Sequence, residues 1–195
     1  MKLGISLHTI TSDISEKGLA MFLGSDVRTF EIMQSLFDND KGEEQKKYLR
    51  KFLKKSRIKA ETIHSRFGGW YDLSSTDQEV RSRSVKSTIE AVEMAAFFDA
   101  PMVVIHASAE PIKYSERKKR KSLAIDSLRE IHLKSCELRR RLAVELLPRT
   151  CLGNTADELL WIIKPFNDDG TVGTCLDVNH LMADYRSIPE VVEKL

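Results

Sequence analysis

Short apolar runs alternate along this chain with longer stretches in which apolar residues recur at helical spacing. Each run has about the length of a β-strand. The six runs are residues 2–7, 29–33, 59–63, 102–105, 142–144 and 172–176. The clearest helical stripe carries Val85, Ile89 and Val92, and Pro101 marks its exit. Six strand-helix units in this order predict a parallel sheet with right-handed crossovers.

Polar residues that typically cap helices precede several of the helical stretches. In a capping box, a Ser or Thr side chain and a Glu three residues later satisfy free backbone N–H groups. The box pattern predicts helix starts at residues 76–79, 155–158 and 187–190. Residues 13–16 predict the cap of the first helix.

Two folds match this order of elements, an open doubly wound sheet and a (β/α)8 TIM-type barrel. The predicted strands end in polar residues, namely His8, His64, His106, Glu145 and Asp177. Side chains alternate between the faces of a strand, and the face that carries these ends is small or polar. The other face carries Leu3, Ile5, Leu7, Phe30, Ile32, Val103, Ile105, Leu142, Val144 and Leu176. The barrel is favoured, because its helices cover the apolar face and its polar strand ends converge on one site.

The predicted barrel is incomplete. A full barrel has eight units in about 250 residues, and this chain of 195 residues supplies six. The last helical pattern is capped at Ser187 and has no glycine exit before Leu195. We therefore expect one barrel domain over residues 1–195 that is truncated at its C-terminus and lacks strands seven and eight, with a short terminal helix as the alternative.

Composition limits the binding partners and the cellular location that we expect for this protein. The net charge of +2 gives no support for nucleic acid as a partner. Three cysteines without close spacing favour a reducing compartment. No apolar run approaches the roughly 18 residues of a membrane helix, and the N-terminus is too polar for a signal peptide. We expect a cytoplasmic protein without a membrane segment.

Glu145 and Asp177 are the leading candidates for chemistry. A carboxylate that points into a barrel is costly unless it is paired, hydrogen-bonded or bound to a metal. Two of them on neighbouring strands repel each other, and a divalent cation between them removes that cost. Oxygen ligands suit Mg²⁺ or Mn²⁺, and added histidine ligands favour Mn²⁺, Co²⁺ or Zn²⁺.

Histidines and one aromatic residue complete the candidate site. His64, His106 and His180 lie at or just after strand ends and are expected to contact the substrate or add nitrogen ligands. His8 is expected to line the pocket. Trp70 follows the third strand on a loop, where it either closes over a substrate or anchors the loop.

The sequence as a whole resembles the xylose-isomerase-like (β/α)8 barrels, which include sugar phosphate isomerases/epimerases and endonuclease IV-type DNA repair enzymes. The resemblance covers essentially all 195 residues. It is carried by the following segments: TFEIM, TIHSRFGGWYDLSSTDQEVRSRSVKSTIEAVEMAAFFDAPMVVIHAS, LAVELLPRTCLGNTADELLWII and GTCLDVNHLM.

The resemblance implies that Glu145 and Asp177 are metal ligands and that Glu145 is one of two acid/base residues. Further ligands would lie on strands seven and eight. His180 matches a substrate contact, or a metal ligand in the endonuclease branch. The roles of the other matched residues follow the same comparison: His64 and His106 match zinc ligands of the endonuclease branch and pocket residues of isomerases, and Glu31 matches a supporting glutamate. After His106 this chain has Ala107-Ser108 where many relatives have Pro-Gly, which weakens the endonuclease match.

Three functions remain in competition at this stage. The leading one is a metal-dependent sugar or sugar phosphate isomerase or epimerase that moves a proton next to a carbonyl. The second is a zinc-dependent abasic-site endonuclease. The third is a catalytically incomplete barrel, stable only as a truncated product or through contacts in a homo-oligomer, because an open barrel exposes strand edges.

Overall fold

Six parallel strands form one sheet in this computed structural model, which describes residues 4–166 and 170–195. The strands are β1 (Gly4–Ser6), β2 (Thr29–Met33), β3 (Lys59–His64), β4 (Met102–Ile105), β5 (Arg141–Glu145) and β6 (Val172–Cys175). Their order in the sheet is the order along the chain, and every neighbouring pair is parallel. A doubly wound sheet reverses its strand order at a switch point. The uninterrupted order therefore identifies a TIM-barrel-like arrangement, as the sequence predicts.

Helices connect the strands across one face of the sheet. They are α1 (Leu7–Ile10), α2 (Glu16–Leu19), α3 (Gly42–Ser56), α4 (Gln78–Phe98), α5 (Arg117–Glu137), α6 (Ala156–Ile163) and α7 (Ile188–Lys194). Short 3-10 segments add Ala20–Phe22, Gln34–Phe37, Tyr114–Glu116, Lys164–Phe166 and Val178–Ser187. Among the described residues, no helix has both the length and the apolar composition needed to cross a bilayer.

The two faces of the sheet differ as the alternation predicts. The apolar face lies under the helices, and its fully buried members are Phe30, Ile32, Val103, Ile105, Leu142 and Val144. Leu7, also expected on this face, is fully buried but belongs to α1. Ile5 and Leu176 are partly buried at its margins, and Leu3, like Lys2 of the predicted first strand, lies outside the described residues. The other face carries Glu31 and Glu145, which line a cavity, and Thr62, which bonds Glu31, because polar side chains are not accepted in the apolar layer.

The predicted capping boxes are only partly confirmed. Thr155 caps α6 by accepting a hydrogen bond from the Glu158 backbone N–H at 3.2 Å. The cap of α4 is Asp77 rather than Thr76, and its carboxylate accepts from the N–H groups of Glu79 and Val80. Residues 13–16 were expected to cap the first helix, and Ser15 within them caps the second, α2. Ser187 makes no side-chain cap and instead donates to the Asp184 carbonyl.

A buried ion pair holds the loop between β3 and α4 against α5. Nη2 of Arg120 lies 2.6 Å from Oδ2 of Asp72, and both residues are less than 10% exposed. Oδ1 of Asp72 accepts hydrogen bonds from the N–H and hydroxyl groups of Ser74. The Ser127 hydroxyl also bonds the Leu73 carbonyl at 2.7 Å. This loop is therefore tied to a helix that lies far away in sequence.

Glu158 links α6 to α5 through a contact whose stability depends on pH. Burial raises the pKa of its carboxyl, but hydrogen bonds from Arg117 and the Gly153 N–H outweigh burial and lower the pKa. A carboxyl with a depressed pKa in the folded state stabilises the fold above its unfolded pKa and loses that contribution as the pH falls through the folded pKa.

We expect the Glu158→Gln variant to lose less stability than the wild type as the pH falls below the ordinary carboxyl pKa of 4.5. Urea unfolding at pH 7 and at successively lower pH values measures the difference. Equal pH dependence in the two proteins contradicts the assignment.

Candidate metal centre

Glu145 lies at the centre of a group of imidazoles on the inner face of the sheet. It is the last residue of β5 and is 4% exposed. Nε2 of His64, at the end of β3, lies 3.1 Å from Oε2 of Glu145. Nε2 of His106, which directly follows β4, lies 3.0 Å from the same oxygen. Three neighbouring parallel strands thus bring their carboxyl ends to one point, as barrel topology requires.

Backbone carbonyls orient two of the histidine rings. Nδ1 of His64 lies 2.9 Å from the Ser65 carbonyl, and Nδ1 of His180 lies 2.7 Å from the Leu146 carbonyl. A carbonyl oxygen only accepts hydrogen bonds, so each Nδ1 carries the hydrogen. Nε2 of His180 then faces Asp177, and Nε2 of His64 faces Glu145, to which it donates when the ring is doubly protonated. A carbonyl that fixes the second ring nitrogen is the usual support of a histidine metal ligand.

Asp177 has both a structural and a potential ligand role. It follows β6, and its Oδ1 caps the segment Val178–Ser187 by accepting from the Asn179 N–H at 2.8 Å. Its Oδ2 lies 3.7 Å from Nε2 of His180. The side chain keeps 36% of its surface exposed. One carboxylate oxygen thus shapes the loop while the other remains available in the site.

The hydrogen bonds within the cluster favour the ionised form of the Glu145 carboxyl. Burial raises the pKa of the Glu145 carboxyl, but hydrogen bonds from His106 and His64 outweigh burial and lower this pKa to about 2. Burial lowers the pKa of His106, and its bond to Glu145 does not fully restore it. For His64, burial also lowers the pKa, but the bonds to Glu145 and Ser65 raise it overall. The buried carboxylate is therefore negative at neutral pH and is held by donors.

Two sets of donors in the described part of the chain have the geometry of metal-ligand groups. One is His64, His106 and Glu145, and the other is Glu145, Asp177 and His180. In each set the candidate ligand atoms all lie within 4.8 Å of one another. Carboxylate oxygens with imidazole nitrogens suit Mn²⁺, Co²⁺ or Zn²⁺. The residues present therefore fit a divalent cation, and Glu145 belongs to both sets.

The other predicted site residues are divided between the site and the surface. A cavity of about 550 Å³ beside Glu145 is lined by Glu31 and His8 as well as by the cluster. Glu31 accepts a hydrogen bond from the Thr62 hydroxyl at 3.3 Å. His8 lies in α1 and not at a strand end, because β1 ends at Ser6. Trp70 is 72% exposed, packs against the Arg83 guanidinium and does not line this cavity.

Sequence reasoning missed Phe67 as a residue of the site. Its ring stacks on His106 with centroids 4.6 Å apart and lies 5.2 Å from the His64 ring. The signal was present in the sequence, because Phe67 is three residues beyond His64 and closer to the strand end than Trp70. An aromatic residue close to the end of the strand lies nearer to the mouth of the barrel than one that follows two glycines farther along the loop.

Cys175 is a second residue of the site that the sequence did not single out. It ends β6 and lines the same cavity. Burial raises the pKa of its thiol to about 12, and the negative charges of Glu145, Glu31 and Asp177 act in the same direction. The thiol is therefore protonated at neutral pH, which makes it a poor nucleophile.

Comparison with known proteins agrees with this geometry. The sequence model of a family described as xylose isomerase-like TIM barrel matches residues 23–194. The chain belongs to this family. No curated protein matches this xylose isomerase-like TIM barrel in sequence.

Solved structures of the same fold include several epimerases. A D-tagatose 3-epimerase-like protein superposes with a TM-score of 0.83 at 24% identity, over 100% of this chain and 71% of its own. A D-psicose 3-epimerase from Clostridium cellulolyticum H10 has a TM-score of 0.81 at 20% identity, over 100% and 69% of the two chains. A 3-keto-D-glucoside 4-epimerase from E. coli has a TM-score of 0.77 at 17% identity, over 99% and 74%. At these identities the similarity establishes the shared fold.

Proposed function

We propose that this xylose isomerase-like TIM barrel is a metal-dependent isomerase or epimerase of a sugar or sugar phosphate that moves a proton at the carbon next to a carbonyl. The observation that carries the proposal is the position of Glu145, a buried carboxylate in the lining of a cavity, whose candidate ligand atom lies within 4.8 Å of those of Asp177 and His180. Structures of the same fold named as a D-tagatose 3-epimerase-like protein, a D-psicose 3-epimerase and an L-ribulose 3-epimerase support a ketose as the substrate.

The metal would be held by Glu145, Asp177 and His180. When bound, a divalent cation polarises neighbouring carbonyl and hydroxyl oxygens and stabilises the negative charge that develops when the adjacent carbon loses its proton. His180 is already oriented for a ligand role by the Leu146 carbonyl. Glu145 and Asp177 supply the negative charge that a divalent cation requires.

The protein's own groups would position the substrate and carry the proton. Glu145 is ionised, so it can accept a proton, although its bonds to His64 and His106 compete with that role. The two histidines lie within hydrogen-bonding distance of Glu145 and can donate to a substrate oxygen once a substrate enters. The Phe67 ring stacks on His106 and contacts the His64 ring.

The proton transfer is tested directly by isotope exchange. D-tagatose, D-psicose and L-ribulose are incubated with the protein in D₂O, once after treatment with EDTA and once with added Mn²⁺, Co²⁺, Mg²⁺ or Zn²⁺. We expect the carbon next to the carbonyl to take up deuterium at least about 100-fold faster with a divalent cation present. Mass spectrometry of the recovered sugar measures the exchange.

Two outcomes of the isotope-exchange experiment would contradict the proposal. Exchange at the same rate with EDTA and with every cation removes the metal from the proposal. The absence of exchange with all three ketoses under every condition removes the reaction itself. The Glu145→Gln variant serves as the blank, because it keeps the shape of the side chain without its charge.

A second candidate function is a zinc-dependent abasic-site endonuclease. It is favoured by the set His64, His106 and Glu145, in which two imidazoles share one carboxylate oxygen. It is disfavoured by the net charge of +2 and by the residues that follow His106. Zn²⁺-dependent cleavage of duplex DNA at an abasic site, with binding that weakens steeply as salt increases, would favour it over the isomerase.

A further inference from the structure

A second cavity lies beside the one that contains the carboxylates. Its volume is about 270 Å³, and Phe67, His106 and His180 line both cavities. Glu145 and Asp177 line the first cavity alone. We call the first the carboxylate chamber and the second the outer chamber. The reacting carbons of a substrate would therefore lie in the carboxylate chamber, and the outer chamber would be left for another part of the molecule.

The outer chamber carries one ion pair on a wall that also includes apolar residues such as Leu147 and Pro148. Glu110 and Arg149 form an ion pair on its wall, with Nε of Arg149 2.9 Å from Oε1 and 3.0 Å from Oε2 of Glu110. A carboxylate beside a guanidinium offers several acceptors and donors in one plane. Because the two charges cancel, the wall favours a neutral ligand with hydroxyl groups over a phosphate.

Phe67 separates the two chambers and has a free surface. It is 49% exposed even though it stacks on His106. Gly68 and Gly69 follow it, and a Cβ at either glycine would meet no atom within 4 Å. The ring therefore lies on an uncrowded loop and lines the same chamber as the ion pair and the imidazoles. The C–H edge of a sugar ring packs well on the negative face of an aromatic ring.

We propose that the outer chamber is a subsite for a neutral glycosyl substituent, so that a glycosylated ketose is bound in preference to a free or phosphorylated one. Phe67 would stack on the substituent, and Arg149 and Glu110 would bind its hydroxyl groups. The inference rests on the proposed sugar isomerase function, because it places the carbonyl part of the same molecule beside Glu145. It adds a second binding site and a substrate class to that function.

Binding of two related sugars tests the subsite. D-fructose fills only the carboxylate chamber, whereas lactulose is the same ketose with a galactosyl group at O4. Isothermal titration calorimetry is carried out on the protein loaded with Mn²⁺. We expect lactulose to bind about tenfold more tightly than fructose. We expect Arg149→Gln to weaken lactulose binding about fivefold to tenfold, the range of one or two hydrogen bonds, and to leave fructose binding unchanged.

Phe67→Ala should also remove the preference for lactulose. Tyr114→Ala is the matched control, since this aromatic residue is 92% exposed and lines neither chamber. Equal binding of the two sugars to the wild type, equal weakening of both by Arg149→Gln, or no binding of either sugar would overturn the proposal. Deuterium exchange into free ketoses without any preference for lactulose would refute the subsite and keep the isomerase. Preferred binding of lactulose without deuterium exchange would support the subsite and refute the isomerase.

Discussion

Replacing Glu145 by Gln is expected to lower the affinity of this protein for Mn²⁺ or Zn²⁺ by more than about 100-fold, because loss of a ligand costs more than the 10- to 100-fold typical of its outer-shell partners. Glu145 belongs to both candidate ligand sets, so the loss is expected whichever set holds the metal. Glutamine keeps the volume of the side chain and one acceptor oxygen. Calorimetric titration of the purified variant with each metal measures the change.

Glu193→Gln is the matched control, since Glu193 is an exposed residue of α7. Two further variants separate the ligand sets. Asp177→Asn should weaken binding strongly if the metal lies with His180, and His64→Gln should do so if it lies with His106. An affinity of Glu145→Gln within a few fold of the wild type would show that this cluster is held together by hydrogen bonds alone.

Replacing Arg120 by Met is expected to destabilise the fold by about 3–5 kcal/mol. The substitution keeps an apolar side chain of similar length but leaves the Asp72 carboxylate buried without its cation. Urea unfolding followed by circular dichroism measures the change in the free energy of unfolding. Adding Asp72→Asn to the variant should restore part of the loss, because it removes the unpaired charge and keeps an acceptor for the two Ser74 donors.

Arg129→Met is the control for the loss of a positive charge on the same helix. Arg129 pairs with Asp126 at 2.6 Å, but both side chains are 60% exposed. Such a pair contributes less than about 1 kcal/mol, since water screens it. If Arg120→Met and Arg129→Met lower the free energy of unfolding by the same amount, the pair between Arg120 and Asp72 is not buried in solution.

The strands and their faces were largely predictable, because they depend on local periodicity. Five of the six predicted runs overlap the observed strands to within one residue at each end, and the first lies partly outside the described residues. The error at His8 has a local cause, since the chain turns into a short helix at Leu7 before the alternation can continue. Thr76 was misassigned as a cap because Asp77, a stronger capping residue, follows it directly.

The contents of the site were less predictable than its position. Glu145 and Asp177 were found from the strand ends, and their roles as ligands stay predictions. The expectation of two further strands and of a homo-oligomer likewise stays a prediction. The sequence pointed to Trp70 and missed Phe67 on the same loop, because the path of a loop depends on its tertiary contacts. In this loop those contacts include the pair between Asp72 and Arg120.

The sequence by itself determined that polar strand ends meet on the inner face of a barrel, because side-chain alternation and parallel connections leave no other common position for them. Only the tertiary structure decided that His64 and His106 share one oxygen of Glu145, that the Phe67 ring stacks on His106, and that a second chamber opens beyond it. These features depend on side-chain rotamers and on loops held by residues distant in sequence. Such contacts form only when the whole chain is packed.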